Sequence, residues 1–109
     1  MNYLDNAQQI RADCNGLPWT PSKLAPGLSV KDVAVADGLE MQLVRLDPGA
    51  TIPVHTHECP EFIYILEGEL IIGGERLTEG SASVASIGST HTDVHSDKGC
   101  IFLLVDKPI

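Results

Sequence analysis

The stretch Gly49-x5-His55-Thr56-His57-x3-Glu61-x6-Gly68 decides the reading of this chain. Side chains on a β-strand alternate between faces, so His55 and His57 share a face with their Cα atoms roughly 7 Å apart. A single ion fits between two imidazoles placed this way. Glu61 follows a corner at Glu58-Cys59-Pro60, and a distant segment, Gly80-x7-Gly88-x2-His91, offers a third imidazole. Imidazole nitrogen and carboxylate oxygen suit Zn, Fe, Mn, Ni or Cu, held about 2.0–2.2 Å away. One divalent transition metal ion is therefore the expected cofactor. Three histidines and one glutamate leave positions open on a five- or six-coordinate ion for water, dioxygen or a chelating substrate. Glu61, the anionic member of the set, is also a candidate catalytic residue.

Outward from this stretch, nearly everything reads as short strands separated by Pro, Gly, Asp and Ser. The expected strands are Leu28–Ala34, Leu39–Leu46, Thr51–His57, Glu61–Leu66, Glu69–Ile72, Glu75–Leu77, Ser83–Ile87, Thr92–His95 and Ile101–Val105. Gly73-Gly74 can take the positive φ angles of a two-residue hairpin, and Asp47-Pro48-Gly49 reads as a second tight turn. Gly49, Gly68, Gly80 and Gly88 fall where strands must reverse sharply. Residues 1–16 are polar and read as an N-terminal arm or short helix, and the segment from Leu17 is too rich in proline for helix. The expected organisation is an all-β domain over 17–109, a sandwich or barrel, preceded by that arm.

Composition narrows the function. At 109 residues the chain holds one core, and no apolar run approaches the roughly 20 residues of a membrane helix. Fifteen acidic against seven basic residues give a formal charge of −8, which argues against a nucleic-acid partner. Cys14, Cys59 and Cys100 show no CxxC spacing and cannot all pair within one chain, as in a reducing compartment. With no basic-then-apolar leader at Met1–Asn6, a cytoplasmic location is expected. Exposed strand edges and the proline-rich arm carrying Trp19 lead us to expect a homodimer.

Taken together, these motifs resemble the cupin superfamily. Gly49 to Gly68 meets every fixed position of the first cupin motif; Gly80, Gly88 and His91 meet the second, with Ser86 in a proline place and His95 in an asparagine place. The resemblance implies a double-stranded β-helix, a jelly-roll cupin barrel, with His55, His57, Glu61 and His91 as the metal set. Within cupins the chain is most similar to ChrR-type anti-sigma cupin domains and small diketone-cleaving dioxygenases, through Leu17–Ser22, Pro26–Ser29, Leu66–Leu70 and Ser96–Cys100. Two functions follow from that resemblance. One is a metal-dependent dioxygenase or related oxidoreductase acting on a small chelating molecule; the other is a non-catalytic metal-dependent sensor. The sixteen residues before Leu17 are too few for the helical sigma-binding domain of ChrR-type proteins.

Several other residues are assigned by position. His95 lies about 13 Å along a strand from His91, too far to ligate the same ion, and is a second candidate catalytic residue as a pocket acid or base. Cys59, between two ligands, reads as a loop-packing residue or a redox handle. Cys100 reads as core. Trp19 is expected to plug a barrel end or serve an interface. Phe62 and Tyr64 fall on the face opposite Glu61, and of Gln42 and Arg45 only one can face the interior.

Overall fold

The computed structural model describes residues 2–108, so Met1 and the last residue of the expected domain, Ile109, lie outside the described residues. The strands are β1 Asn2–Leu4, β2 Thr20–Pro21, β3 Leu28–Ala36, β4 Leu39–Leu46, β5 Thr51–Ile52, β6 His55–Thr56, β7 Glu61–Ile72, β8 Glu75–Thr78, β9 Ala82–Ala85, β10 Thr90–His91, β11 Val94–His95 and β12 Cys100–Asp106. A 3-10 turn at Cys14–Gly16 is the one helical element among the described residues. One sheet runs in the order β1-β3-β4-β12-β7-β11-β5, with β2 on β3 and β8 and β9 on β7; β6 and β10 form a separate ribbon. This curled sheet is an all-β half-barrel, as the turn and strand spacing predicts, and its jelly-roll form is the one the cupin resemblance implies. No described helix is long and apolar enough to cross a membrane.

Alternation builds the interior. In β4 the inward residues are Glu40, Gln42, Val44 and Leu46; in β12 they are Cys100, Phe102, Leu104 and Asp106; in β7 they begin Glu61, Ile63, Ile65. Leu46, Ile65, Leu70 and Phe102 are at most 2% exposed and form the centre of the core. Burying each such side chain contributes about 1.5–3 kcal/mol. The outward residues Phe62, Tyr64 and Leu66 remain exposed.

Five details differ from the expectations. Strands 61–66 and 69–72 are one strand, because a bulge shifts the β7–β12 register between Ile101 and Phe102 and lets the chain bend without ending. The expected strand Thr51–His57 is interrupted at Pro53-Val54, where proline cannot donate to a ladder, giving β5 and β6. Of the expected strand Thr92–His95 only Val94–His95 forms, as β11 between β5 and β7, while Thr90-His91 just before it forms β10 on β6. The arm contains a strand, β1, which pairs in parallel with Ala34–Ala36 of β3. Trp19 does not plug the barrel. It lies on the outer face, with Lys31 Nζ 4.9 Å and Arg45 Cζ 4.5 Å from its ring centroid, and Lys31 Nζ donates to the Cys14 carbonyl at 2.8 Å.

Both expected turns form. Gly73 and Gly74 take φ of 58° and 81° between Ile72 and Glu75, which pair. Ala50 N donates to Asp47 O at 3.0 Å, with Gly49 at φ 85°. Gly68 has the strictest requirement, since its φ is 75° and an added Cβ would stand 2.2 Å from the Gly99 carbonyl oxygen. Gly74 has a similar φ but nothing within 4 Å of that position. Gly68→Ala is expected to cost about 3 kcal/mol, from strain and backbone displacement together, and Gly74→Ala only about 1 kcal/mol from strain. Urea unfolding of the two variants measures the difference, and equal losses would refute the close approach as the reason for Gly68.

Candidate metal centre

The β6–β10 ribbon brings two histidines together directly, because His91 is the cross-strand partner of His55. His57 continues the ribbon just beyond β6: its N–H donates to Ser89 O at 2.9 Å, and Gly88 N–H donates to His57 O at 2.9 Å. Glu61 opens β7 on its inward parity after the Pro60 corner. The structure thus converges His55, His57, Glu61 and His91, whose ligand-type atoms all lie within 4.8 Å of one another. Atoms held at metal–ligand distance around one ion are about 3–4.4 Å apart, so only a small contraction closes the set. His57 Nε2 is 3.3 Å and His91 Nδ1 3.7 Å from Glu61 Oε1, and His55 Nε2 is 3.9 Å from Glu61 Oε2.

The surroundings select the imidazole lone pairs. A backbone carbonyl can only accept, so His55 Nδ1, 2.9 Å from Pro53 O, and His57 Nδ1, 3.0 Å from Ser89 O, carry their ring protons. Both Nε2 atoms are left as acceptors facing the cluster, as a metal ligand requires. Ser89 is itself anchored, its hydroxyl donating to Ser86 O at 2.6 Å. His57 Nε2 is buried without a hydrogen-bond partner, which is costly unless something binds it. Burial, reinforced by His57 and His55, lowers the His91 pKa to about 4 and keeps that ring neutral. Burial raises the Glu61 pKa, opposed by His57 and His55. The donor set fits a divalent ion on each of these counts.

The centre has a closed side and an open one. The side chains of His57, Glu61 and His91 are 4%, 10% and 8% exposed, whereas that of His55 is 38% exposed. Approach is therefore past His55.

Not every residue singled out in the sequence joins this cluster. His95 pairs with Ile71, ten residues along β7 from Glu61, and lies between the carboxylates of Asp93 at 2.8 Å and Asp97 at 3.3 Å. Cys59 Sγ donates to Pro60 O at 3.3 Å and accepts from Lys107 N–H at 3.0 Å, which ties the corner between His57 and Glu61 to the end of β12. Cys100 is buried. Conversely, Glu40 and Asp106 were not singled out, yet they face inward, Asp106 beside Glu61 and Glu40 on the next strand beyond it. Burial foremost, then the Asp106 carboxyl and the charge of Asp32, push Glu40 up to about 7. Their signal in the sequence is a charged residue in step with buried neighbours: Glu40 with Val44 and Leu46, Asp106 with Phe102 and Cys100.

The arrangement matches known cupins in fold. No curated protein sequence matches the chain. Among solved structures, a candidate acetylacetone dioxygenase from Methylibium petroleiphilum PM1 gives a TM-score of 0.84 at 14% identity, covering 95% of this chain and 80% of that one. The acetylacetone dioxygenase from Acinetobacter johnsonii gives 0.77 at 13% identity, covering 98% and 80%. A chain in the complex of Rhodobacter sphaeroides SigE with the anti-sigma ChrR gives 0.73 at 21% identity, covering 87% of this chain and 51% of that one. At these identities the likeness is one of fold. The sequence pattern of the ChrR cupin-like domain, by contrast, matches residues 7–109, and the chain belongs to that cupin family.

Proposed function

We propose that the chain binds one divalent transition metal ion through His55, His57, Glu61 and His91 and acts as a non-haem oxidoreductase of the dioxygenase type on a small chelating substrate. The observation that carries this reading is the convergence of three imidazoles on one carboxylate, with one side open. Two of those imidazoles have their tautomers fixed by backbone carbonyls. The chemistry that a divalent ion supplies in such a donor set is Lewis-acid polarisation of an enolate-like ligand and a docking point for dioxygen. Pro53 and Ser89 hold two Nε2 lone pairs in place, so little reorganisation accompanies binding. Glu61 offsets one positive charge, and Ile63 and Ile65 behind it exclude water from the closed side. Solved dioxygenases with this fold support the substrate class.

The second reading is a metal-dependent regulatory module, favoured by the family match and by the ChrR complex. It uses the same ligands and differs in consuming no dioxygen.

We also propose that the protein forms a homodimer. The supporting observation is the exposed outer row Phe62, Tyr64 and Leu66 with Val84 on the neighbouring strand. In this proposal the location is cytoplasmic, consistent with three free cysteines.

Three measurements check these proposals. His91→Ala is expected to weaken metal binding roughly hundredfold or more while leaving the β-sheet circular dichroism intact. His95→Ala should leave metal content unchanged, and full metal occupancy in His91→Ala would sink the ligand set. Fe(II)-loaded protein given a panel of chelating ketones should take up oxygen and cleave one of them, with turnover reduced in Glu61→Gln. No uptake with Fe, Mn, Ni or Cu forms would leave the regulatory reading in its place. Light scattering at micromolar concentration should report twice the chain mass, and a monomer would remove the dimer.

A further inference from the structure

The outer face of the sheet carries its charges at two opposite ends. Strands β3, β4, β12 and β7 lie side by side in that order. At the β3 and β4 end, Lys31 and Arg45 stand together against the Trp19 ring. At the β7 end stands Glu67. Register puts Arg45, Ile101 and Glu67 in one row across β4, β12 and β7, so two strand spacings, about 10 Å, separate the cation from the carboxylate. A cleft of about 490 Å³ crosses the face along this direction, lined by Trp19 and Lys31 on one side, Leu43 and Ile101 beneath, and Glu67 and Glu79 on the other.

None of these charges is matched within the chain. Among the described residues, neither Lys31 nor Arg45 has a carboxylate at ion-pair distance, and neither Glu67 nor Glu79 has a cation. Arg45 Nε is buried without a hydrogen-bond partner. Lys31 is only 8% exposed and spends one of its three donors on the Cys14 carbonyl. The rest of the face is apolar, with Met41, Phe62, Tyr64 and Leu66 exposed on it.

This pattern fits a second copy of the same chain. Two molecules of charge −8 repel one another overall, so a contact between them needs a face on which opposite signs meet. A two-fold interface uses the same patch twice and must be complementary to itself. Two sheets packed face to face have their dyad in the plane of the interface. A dyad running along the strands exchanges the two ends of the patch: β4 lies over β12 of the second copy and β3 over its β7, with strand directions aligned to within about 30°. Arg45 then stands level with Glu67 of the second copy, because the two share a row, and the apolar middle closes on itself. A dyad running across the strands sets cations on cations and carboxylates on carboxylates.

We propose that the homodimer forms through this outer face, on a dyad that runs along the strands between β4 and β12, with Lys31 and Arg45 of each copy meeting Glu67 and Glu79 of the other. This inference rests on the homodimer reading above and adds to it the surface, the axis and the charge pairs. Buried Arg45 Nε and the two carboxylates are matched only in the assembled pair.

The test exchanges the charges of one row. Sedimentation of the full chain at micromolar concentration should show a dimer, and Arg45→Glu or Glu67→Lys alone should raise its dissociation constant about tenfold or more, since the dyad counts each substitution twice. An equimolar mixture of the two variants should recover a heterodimer of about the unmodified affinity, as should the double variant Arg45→Glu/Glu67→Lys with itself. Rescue by mixing is necessarily intermolecular. Glu67 is exposed at the bulge of β7, so Glu67→Lys decides even if Arg45→Glu does not fold. An undiminished dimer in Glu67→Lys would overturn this face while leaving the homodimer standing on another surface, and a mixture of folded variants that stays monomeric would overturn the pairing. A monomer in the unmodified protein would remove the homodimer and this arrangement together.

Discussion

Strand β7 is the member on which both halves of the molecule depend. Its first half pairs with β12 and β9 and presents Glu61; its second half pairs with β8 and β11 and closes the far end. One strand can serve both only by bending in mid-course, through the bulge opposite Ile101 and Phe102 and the close passage of Gly68 against Gly99. The core residues Ile63, Ile65 and Leu70 lie on either side of that bend. The carboxylate at one end is therefore positioned by the same backbone that packs the centre.

The two ends of the barrel are built to different rules. Toward the centre the inward positions are apolar and nearly inaccessible, and they supply the burial that holds a chain of this length together. Toward the ribbon the same strands carry Glu40, Gln42, Asp106 and Glu61 in those positions. The cost of burying polar groups is concentrated beside the His-His-Glu-His cluster, a division common to sites that sacrifice stability locally.

The His-His-Glu-His cluster was legible in the sequence because its geometry is largely local. His55 and His57 share a face by strand parity, and Glu61 follows after a fixed corner; His91 needed the second glycine-bracketed motif to be joined to them. The hairpin at Gly73-Gly74 was legible for the same reason, since backbone conformation at two residues decides it. What escaped was everything fixed by register between distant strands. Asp106 stands beside Glu61 only because β12 pairs with β7 at Val105 and Phe62. His95, in step with His91 along the chain, is drawn to the other end of β7 by pairing with Ile71. The parallel docking of β1 on β3 likewise has no local signal, as three residues are too few to show a period.

The position of Trp19 has an optical consequence. It is the chain's one tryptophan, clasped between Lys31 and Arg45 on the outer face, and the same Lys31 ammonium holds the carbonyl of Cys14. Intrinsic fluorescence from this protein therefore reports how the segment around Cys14–Gly16 is seated against the outside of the sheet rather than what happens inside the barrel.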